Sequence, residues 1–165
     1  MSNHSHAGSQ PKATEPARGH YVRLVVMIVL SFIAMYFLMY AMIDRADNFY
    51  ANLNQFYMAG LMAAAMTVIE LGLMFGMYPN KRLNVVIIAA GVIALALFWS
   101  FTRRQTAIAD KQFLRSMIPH HASAILMCQR APIQDAEIRR LCQEIVSGQQ
   151  REIDQMKARL RDLGG

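Results

Sequence analysis

The chain has 165 residues, 55% of them hydrophobic and only 17% charged, a composition too apolar for an ordinary soluble domain. Its net charge of +6 comes without any basic stripe interleaved with aromatics, which argues against nucleic-acid binding. Two cysteines outside any CxxC arrangement carry no zinc-ribbon or redox signal, whereas thirteen methionines are a marked excess.

Residues 1–20 hold Ser, Gly, Pro, His and Lys without apolar periodicity and are expected to form a disordered tail. If Met1 is removed, the tail begins Ser2-Asn3-His4. A free amine followed by His in third place suits square-planar Cu(II) or Ni(II), although a plain polar tail is the simpler reading. A secretory signal peptide is not expected. The next apolar run is too long for an h-region and ends without a small-residue cleavage site.

Three apolar runs follow, Tyr21–Ile43, Leu53–Tyr78 and Leu83–Phe101, and together they define a transmembrane region over residues 21–101. Each has about the 20 residues that an α-helix needs to cross a bilayer. Tyr21, Tyr50, Tyr57, Tyr78 and Trp99 sit near the ends, where interfacial aromatics belong. The short polar stretch Pro79-Asn80-Lys81-Arg82 predicts a tight antiparallel turn between the second and third helices. Lys12, Arg18, Arg23, Lys81 and Arg82 fall on one side of the membrane, against Arg45 in the first opposite loop. This bias predicts a cytoplasmic N-terminus and an outer C-terminal segment, with Arg103 and Arg104 arguing the other way.

Methionine is concentrated inside these runs. Met35, Met39 and Met42 form a stripe on the first helix, and Met58, Met62, Met66, Met74 and Met77, with Glu70 among them, cover an arc of the second. Such a stripe fits packing between helices, since methionine is apolar and adaptable. The functional alternative is a relay of thioethers carrying Cu(I) toward the C-terminal segment, with Glu70 as an intramembrane carboxylate that needs a partner or a task. Gly60, Ala63, Ala64 and Gly72 are expected to allow close helix contact.

Residues 102–165 read differently. Asp110 is expected to cap a helix running to about Ala131, which Pro132 ends. Asp135 is expected to cap a second helix running to about Leu163, before Gly164-Gly165. Folding this hairpin at residues 132–134 puts Met117 opposite Gln149, His121 opposite Ile145 and Cys128 opposite about residue 138. Ile138, Leu141, Ile145, Gln149, Glu152, Met156 and Leu160 form the expected inward seam. Met117, His120, His121, Gln149 and Glu152 would then share one layer. Buried imidazole, amide and carboxylate are costly unless paired or ligated, and thioether with neutral imidazole is a good donor set for Cu(I). Glu152 would hold the second ring nitrogen of a ligating histidine. The alternative is that His120 and His121 only pack or face solvent. Cys128 and Cys142 are expected to be free thiols packed in the interior, with Cys128 as an optional additional ligand.

The pattern Asp110-x-x-Phe113-x-x-x-Met117-Ile118-Pro119-His120-His121-x-x-Ala124-Ile125-x-Met127, followed by Leu141, Ile145, Gln149, Glu152-Ile153 and Met156, resembles the domain of unknown function 305 family over about residues 108–163. The three-helix, methionine-rich membrane part resembles that family's membrane-anchored members. The resemblance implies an all-α, ferritin-like fold and copper or silver binding on the periplasmic side of a bacterial inner membrane. It implies copper ligation by Met117, His120, His121, Met127 and Met156. A single hairpin is half of a four-helix bundle, so either two chains complete the bundle or the hairpin packs on its own membrane helices.

The expectation is therefore a membrane-anchored protein that binds Cu(I), or Ag(I), for sequestration, delivery or resistance. A di-iron oxidase is disfavoured because the segment has no Glu-x-x-His. The other alternative is a structural protein that assists a transporter and holds no metal.

Overall fold

A computed structural model describes residues 15–164; residues 1–14 of the expected N-terminal tail, with its Ser2-Asn3-His4 sequence, and the terminal Gly165 lie outside the described residues, whereas residues 15–20 of that tail are helical, because they continue the first apolar helix. The described chain is helical, with no strand: α1 (Glu15–Leu38), a 3-10 turn (Met39–Met42), a second 3-10 turn (Ala46–Asn48), α2 (Leu53–Leu73), α3 (Lys81–Arg104), α4 (Asp110–Arg130) and α5 (Ala136–Asp162). Three helical stretches are long and apolar enough to cross a membrane: Gly19–Met42, Leu53–Leu73 and Lys81–Arg104.

The second span is shorter than its apolar run. It stops at Leu73 rather than Tyr78, and Tyr78 instead folds back to pack on Leu24 and Leu71. Asn80 then caps α3 by accepting the Leu83 amide at 3.0 Å, so Lys81 and Arg82 stand in the first turn of a helix and not in the connection. Tyr21 donates to Asn84 Oδ1 at 2.7 Å, which pins the start of α1 to the α2–α3 turn. Arg23, Lys81 and Arg82 thereby share one end of the spans.

The α2–α3 interface is built on small residues. A Cβ at Gly60 would lie 2.5 Å from the Phe98 ring, and one at Gly91 would lie 2.8 Å from Val68. Ala63 and Ala64 are buried in the same interface. In hydrocarbon such close approach supplies the dispersion contacts that hold helices together. Gly72 has open space around its Cβ direction, so it has no part in this contact.

At the opposite end the chain turns into a polar platform. Tyr40 donates to the Tyr50 carbonyl at 2.8 Å, and Asn52 donates to Tyr40 while capping α2 through the Gln55 amide. Helix α4 docks on this platform. Asn54 donates to Ser116 at 3.1 Å, the Leu53 amide donates to Gln112 at 3.1 Å, and Tyr57 donates to the Thr106 carbonyl at 2.8 Å. Lys157 of α5 bonds Asp47 at 2.8 Å and holds its carboxyl below the usual carboxylate range. The α4–α5 segment therefore sits on its own membrane helices.

Ala109, not Asp110, occupies the cap position of α4. Asp110 is the first helical residue, where its charge favours the positive end of the helix dipole. Asp135 caps α5 as expected, accepting the Ile138 amide at 2.9 Å. Residues Ile118, Ala122, Ile125, Ile153 and Leu160 form the core between the two helices, closed from the membrane side by Ile43 and Tyr50.

The pairing of α4 with α5 differs from the expected register by about two helical turns. His121 meets Glu152 rather than Ile145, and Lys111 reaches the Gly164 carbonyl. The connection is the reason. The chain leaves α4 in extended conformation at Ala131 and enters α5 in extended conformation at Asp135, so the first α5 turn overhangs the end of α4. Ile138 and Leu141 are therefore half exposed instead of inward, and the seam consists of Val146, Ile153, Met156 and Leu160.

Candidate metal centre

Adjacent residues on an α-helix point about 100° apart, and this divides the two histidines. Their ring centroids are 6.0 Å apart, yet His121 is buried and turns toward α5 while His120 is exposed on the flank facing the membrane helices.

His121 lies in a cleft of about 290 Å³ with Met117 from one turn earlier on α4 and with Glu152 and Met156 from α5. Its Nε2 stands 2.7 Å from Glu152 Oε2. An ionised carboxylate can only accept, so in the neutral imidazole Nε2 carries the proton and Nδ1 keeps the free lone pair. That Nδ1 is buried and has no hydrogen-bond partner. A buried polar atom left unpaired costs about 1–3 kcal/mol. A carboxylate on one ring nitrogen with the other ring nitrogen free is the arrangement that prepares histidine to bind a metal. The residues present fit a soft cation: one imidazole with an unpaired Nδ1, beside two thioethers.

Among the described residues no three His, Cys, Asp or Glu side chains gather into a group that could hold a metal ion; the cleft sets one imidazole beside methionine sulfur. Gln149 lies one turn from Glu152 with a buried, unpartnered Oε1, outside the residues lining this cleft. Glu152 is an exposed flank residue reaching in to His121, not a member of the seam. The single layer expected for Met117, His120, His121, Gln149 and Glu152 is thus divided. Met117, His121 and Glu152 come together with Met156, whereas His120 faces elsewhere.

Met127 is half exposed near the α4–α5 connection and lines neither this cleft nor the one around His120. Cys128 faces Cys142, not residue 138. Both are free thiols, half buried rather than interior, and line an open groove of about 670 Å³. A hydrogen bond with Cys142, aided by burial, pushes the Cys128 thiol up to about 11.

His120 lines a separate cleft of about 340 Å³ together with Met39, Met42, Met58 and Met117. Met35, Met62, Met66 and Glu70 lie farther from the α4 end of the spans and are not among its lining residues. The sequence offers the membrane methionines either as packing or as a relay toward the C-terminal segment, without saying which of them meet a histidine. Their convergence depends on how α4 docks, and no local pattern announces it.

These features define a membrane-type helical protein with an imidazole–thioether cleft on a docked helix pair. Residues 63–160 match the family described as Domain of unknown function (DUF305), and the chain belongs to that family. The match begins in the middle of α2, well before the stretch at about residues 108–163 that carries the His-Met motif, so it takes in α3 as well as the α4–α5 pair. The chain is also 31% identical over 138 residues to an uncharacterized protein of Acanthamoeba polyphaga mimivirus, covering 82% of this chain and 89% of that relative. No solved structure matches the chain.

Proposed function

We propose that this protein is a membrane-anchored binding protein for Cu(I), accepting Ag(I) as well, that sequesters or delivers the ion or confers resistance to it. One observation carries the reading: His121 has one ring nitrogen on Glu152 and the other buried without a partner, in a cleft that also holds Met117 and Met156. Nothing in this set requires a reacting substrate. The ion is cargo, Met117, His121 and Met156 hold it, and Glu152 fixes the tautomer of the ligand.

The compartment belongs to the same reading. Arg23, Lys81 and Arg82 share the end of the spans opposite α4 and α5, which supports a cytoplasmic N-terminus and a helix pair on the periplasmic face of a bacterial inner membrane. Arg103 and Arg104 at the other end weigh against it. A ferritin-like arrangement would come from two copies. Ile138, Leu141 and Met127 leave an apolar flank half exposed on the α4–α5 pair, and a second helix pair laid on it completes a four-helix bundle.

The test is a Cu(I) titration of the full chain in detergent against a colorimetric chelator, beside His121→Ala. The reading expects a tightly held equivalent that the variant releases while its helix content is kept. Equal retention by both proteins would remove His121, and this function with it.

A further inference from the structure

We infer that the cleft at the junction of the membrane helices and α4 is a second soft-metal site, distinct from the His121 centre and joined to it through Met117. The inference rests on the soft-metal reading of α4.

Three segments converge there. The end of the first span contributes Met39 and Met42, the second turn of α2 contributes Met58, and α4 contributes Met117 and His120. The local backbone matters. The first span tightens from α-helix to 3-10 helix at Met39–Met42. At three residues per turn, side chains at i and i+3 eclipse, so the two thioethers stack on one face instead of diverging. Helix α4 is held over them by Asn54 with Ser116 and by Leu53 with Gln112, so the cleft is assembled by docking and not by one element.

Its chemistry selects a cation class. Four thioethers and one imidazole line it beside neutral amides and hydroxyls such as Asn54, Gln55 and Ser123, and no carboxylate does. The His120 imidazole makes no hydrogen bond among the described residues, so its ring nitrogens are not engaged by protein there. A hard divalent ion finds no anionic oxygen, whereas Cu(I) and Ag(I) find the sulfur and neutral nitrogen donors they prefer. Met117 also lines the His121 cleft, so an ion passing between the two sites can keep one sulfur donor. Met58, Met62 and Met66 are spaced one helical turn apart, about 6 Å per step, and carry the thioether stripe from within the span to this cleft.

The test is the number of Cu(I) equivalents that the detergent-solubilised full chain keeps against a competing chelator, repeated with Ag(I) as probe. Met39→Leu/Met42→Leu/Met58→Leu conserves apolar volume, and unchanged helix content and thermal stability check its fold. Two equivalents in the native chain, one in the triple variant and one in His121→Ala is the expected result. Two equivalents retained by the folded triple variant would overturn the junction site and leave the proposed function standing. A single native equivalent lost only in His121→Ala would do the same. A single native equivalent lost in the triple variant but kept in His121→Ala would keep the junction site and sink the proposed function. No bound equivalent would end both.

Discussion

The α2–α3 and α4–α5 pairs are both two-helix interfaces, but they are held together by opposite means. The first is closed by absence of side chain: Phe98 occupies the space left by Gly60, and Val68 that left by Gly91. The second is closed by aliphatic burial of Ile118, Ile125, Ile153 and Leu160, and beside that core it keeps a polar contact, His121 with Glu152. Lipid provides no hydrophobic drive between helices, so closeness must supply the cohesion. Outside the span that drive returns, and the interface can carry a buried, unpartnered nitrogen. The imidazole–thioether cleft sits on the pair that has the aliphatic core.

Perturbing each interface separates these two modes. The largest effect is expected from Ile153→Ala, which empties a fully buried position and should lower stability by about 2–5 kcal/mol, read by chemical denaturation of the α4–α5 segment in the full chain. Gly60→Leu should cost about 1–3 kcal/mol by forcing side chain into the Phe98 ring. Its loss should register in thermal unfolding in detergent while Cu(I) affinity at the His121 centre stays within a few-fold. If both substitutions weaken copper binding equally, the two pairs are one cooperative unit and the contrast fails.

Glu152→Gln should reduce Cu(I) affinity about 10–100-fold, the usual range for losing the partner that orients a ligating histidine. The side chain is more than half exposed, so folding stability should hardly change. A competition titration alongside a melting curve distinguishes that outcome from a general loss of structure.

The smallest effect concerns the contact between α5 and the 3-10 turn Ala46–Asn48 that precedes α2. Lys157 depresses the Asp47 carboxyl below its ordinary 3.8, so this bond adds stability above that value and loses it as pH falls through the lower folded value. The pair is exposed and its contribution is small. Hydrogen exchange in residues 43–50, taken relative to the intrinsic rate at each pH, should rise on acidification below the ordinary value, and Asp47→Asn should raise it already at neutral pH. An unchanged exchange rate in Asp47→Asn would show that α5 docks without this bond.

Much of the fold was legible because its signals are local. Three apolar runs gave three spans, Pro132 marked the end of α4, and Asp135 marked the start of α5. Register was not legible, because it depends on how far the extended residues after Arg130 carry the chain before α5 begins, and side-chain pattern does not encode that distance. The seam on α5 was misplaced for a related reason. The expected and observed stripes share Met156 and Leu160 and differ by a small rotation, which is enough to move Ile138 and Leu141 outward and Ile153 inward. Within the candidate centre, Met117, His121 and Glu152 were identified from residue type and Met156 through the family resemblance, and the four line one cleft. The separation of His120 from His121 follows from helical geometry alone, but its cleft could not be foreseen. That cleft needs a 3-10 turn at Met39–Met42 and a docked α4, both set by tertiary contacts.

The most direct measurement of the central claim is copper X-ray absorption on the full chain carrying one equivalent of Cu(I), made in a Cys128→Ser/Cys142→Ser background. The account predicts that the ion is retained, with nitrogen and sulfur both in its coordination shell, the nitrogen lost in His121→Ala. Loss of the ion on replacing the cysteines, or a shell without nitrogen, would contradict it.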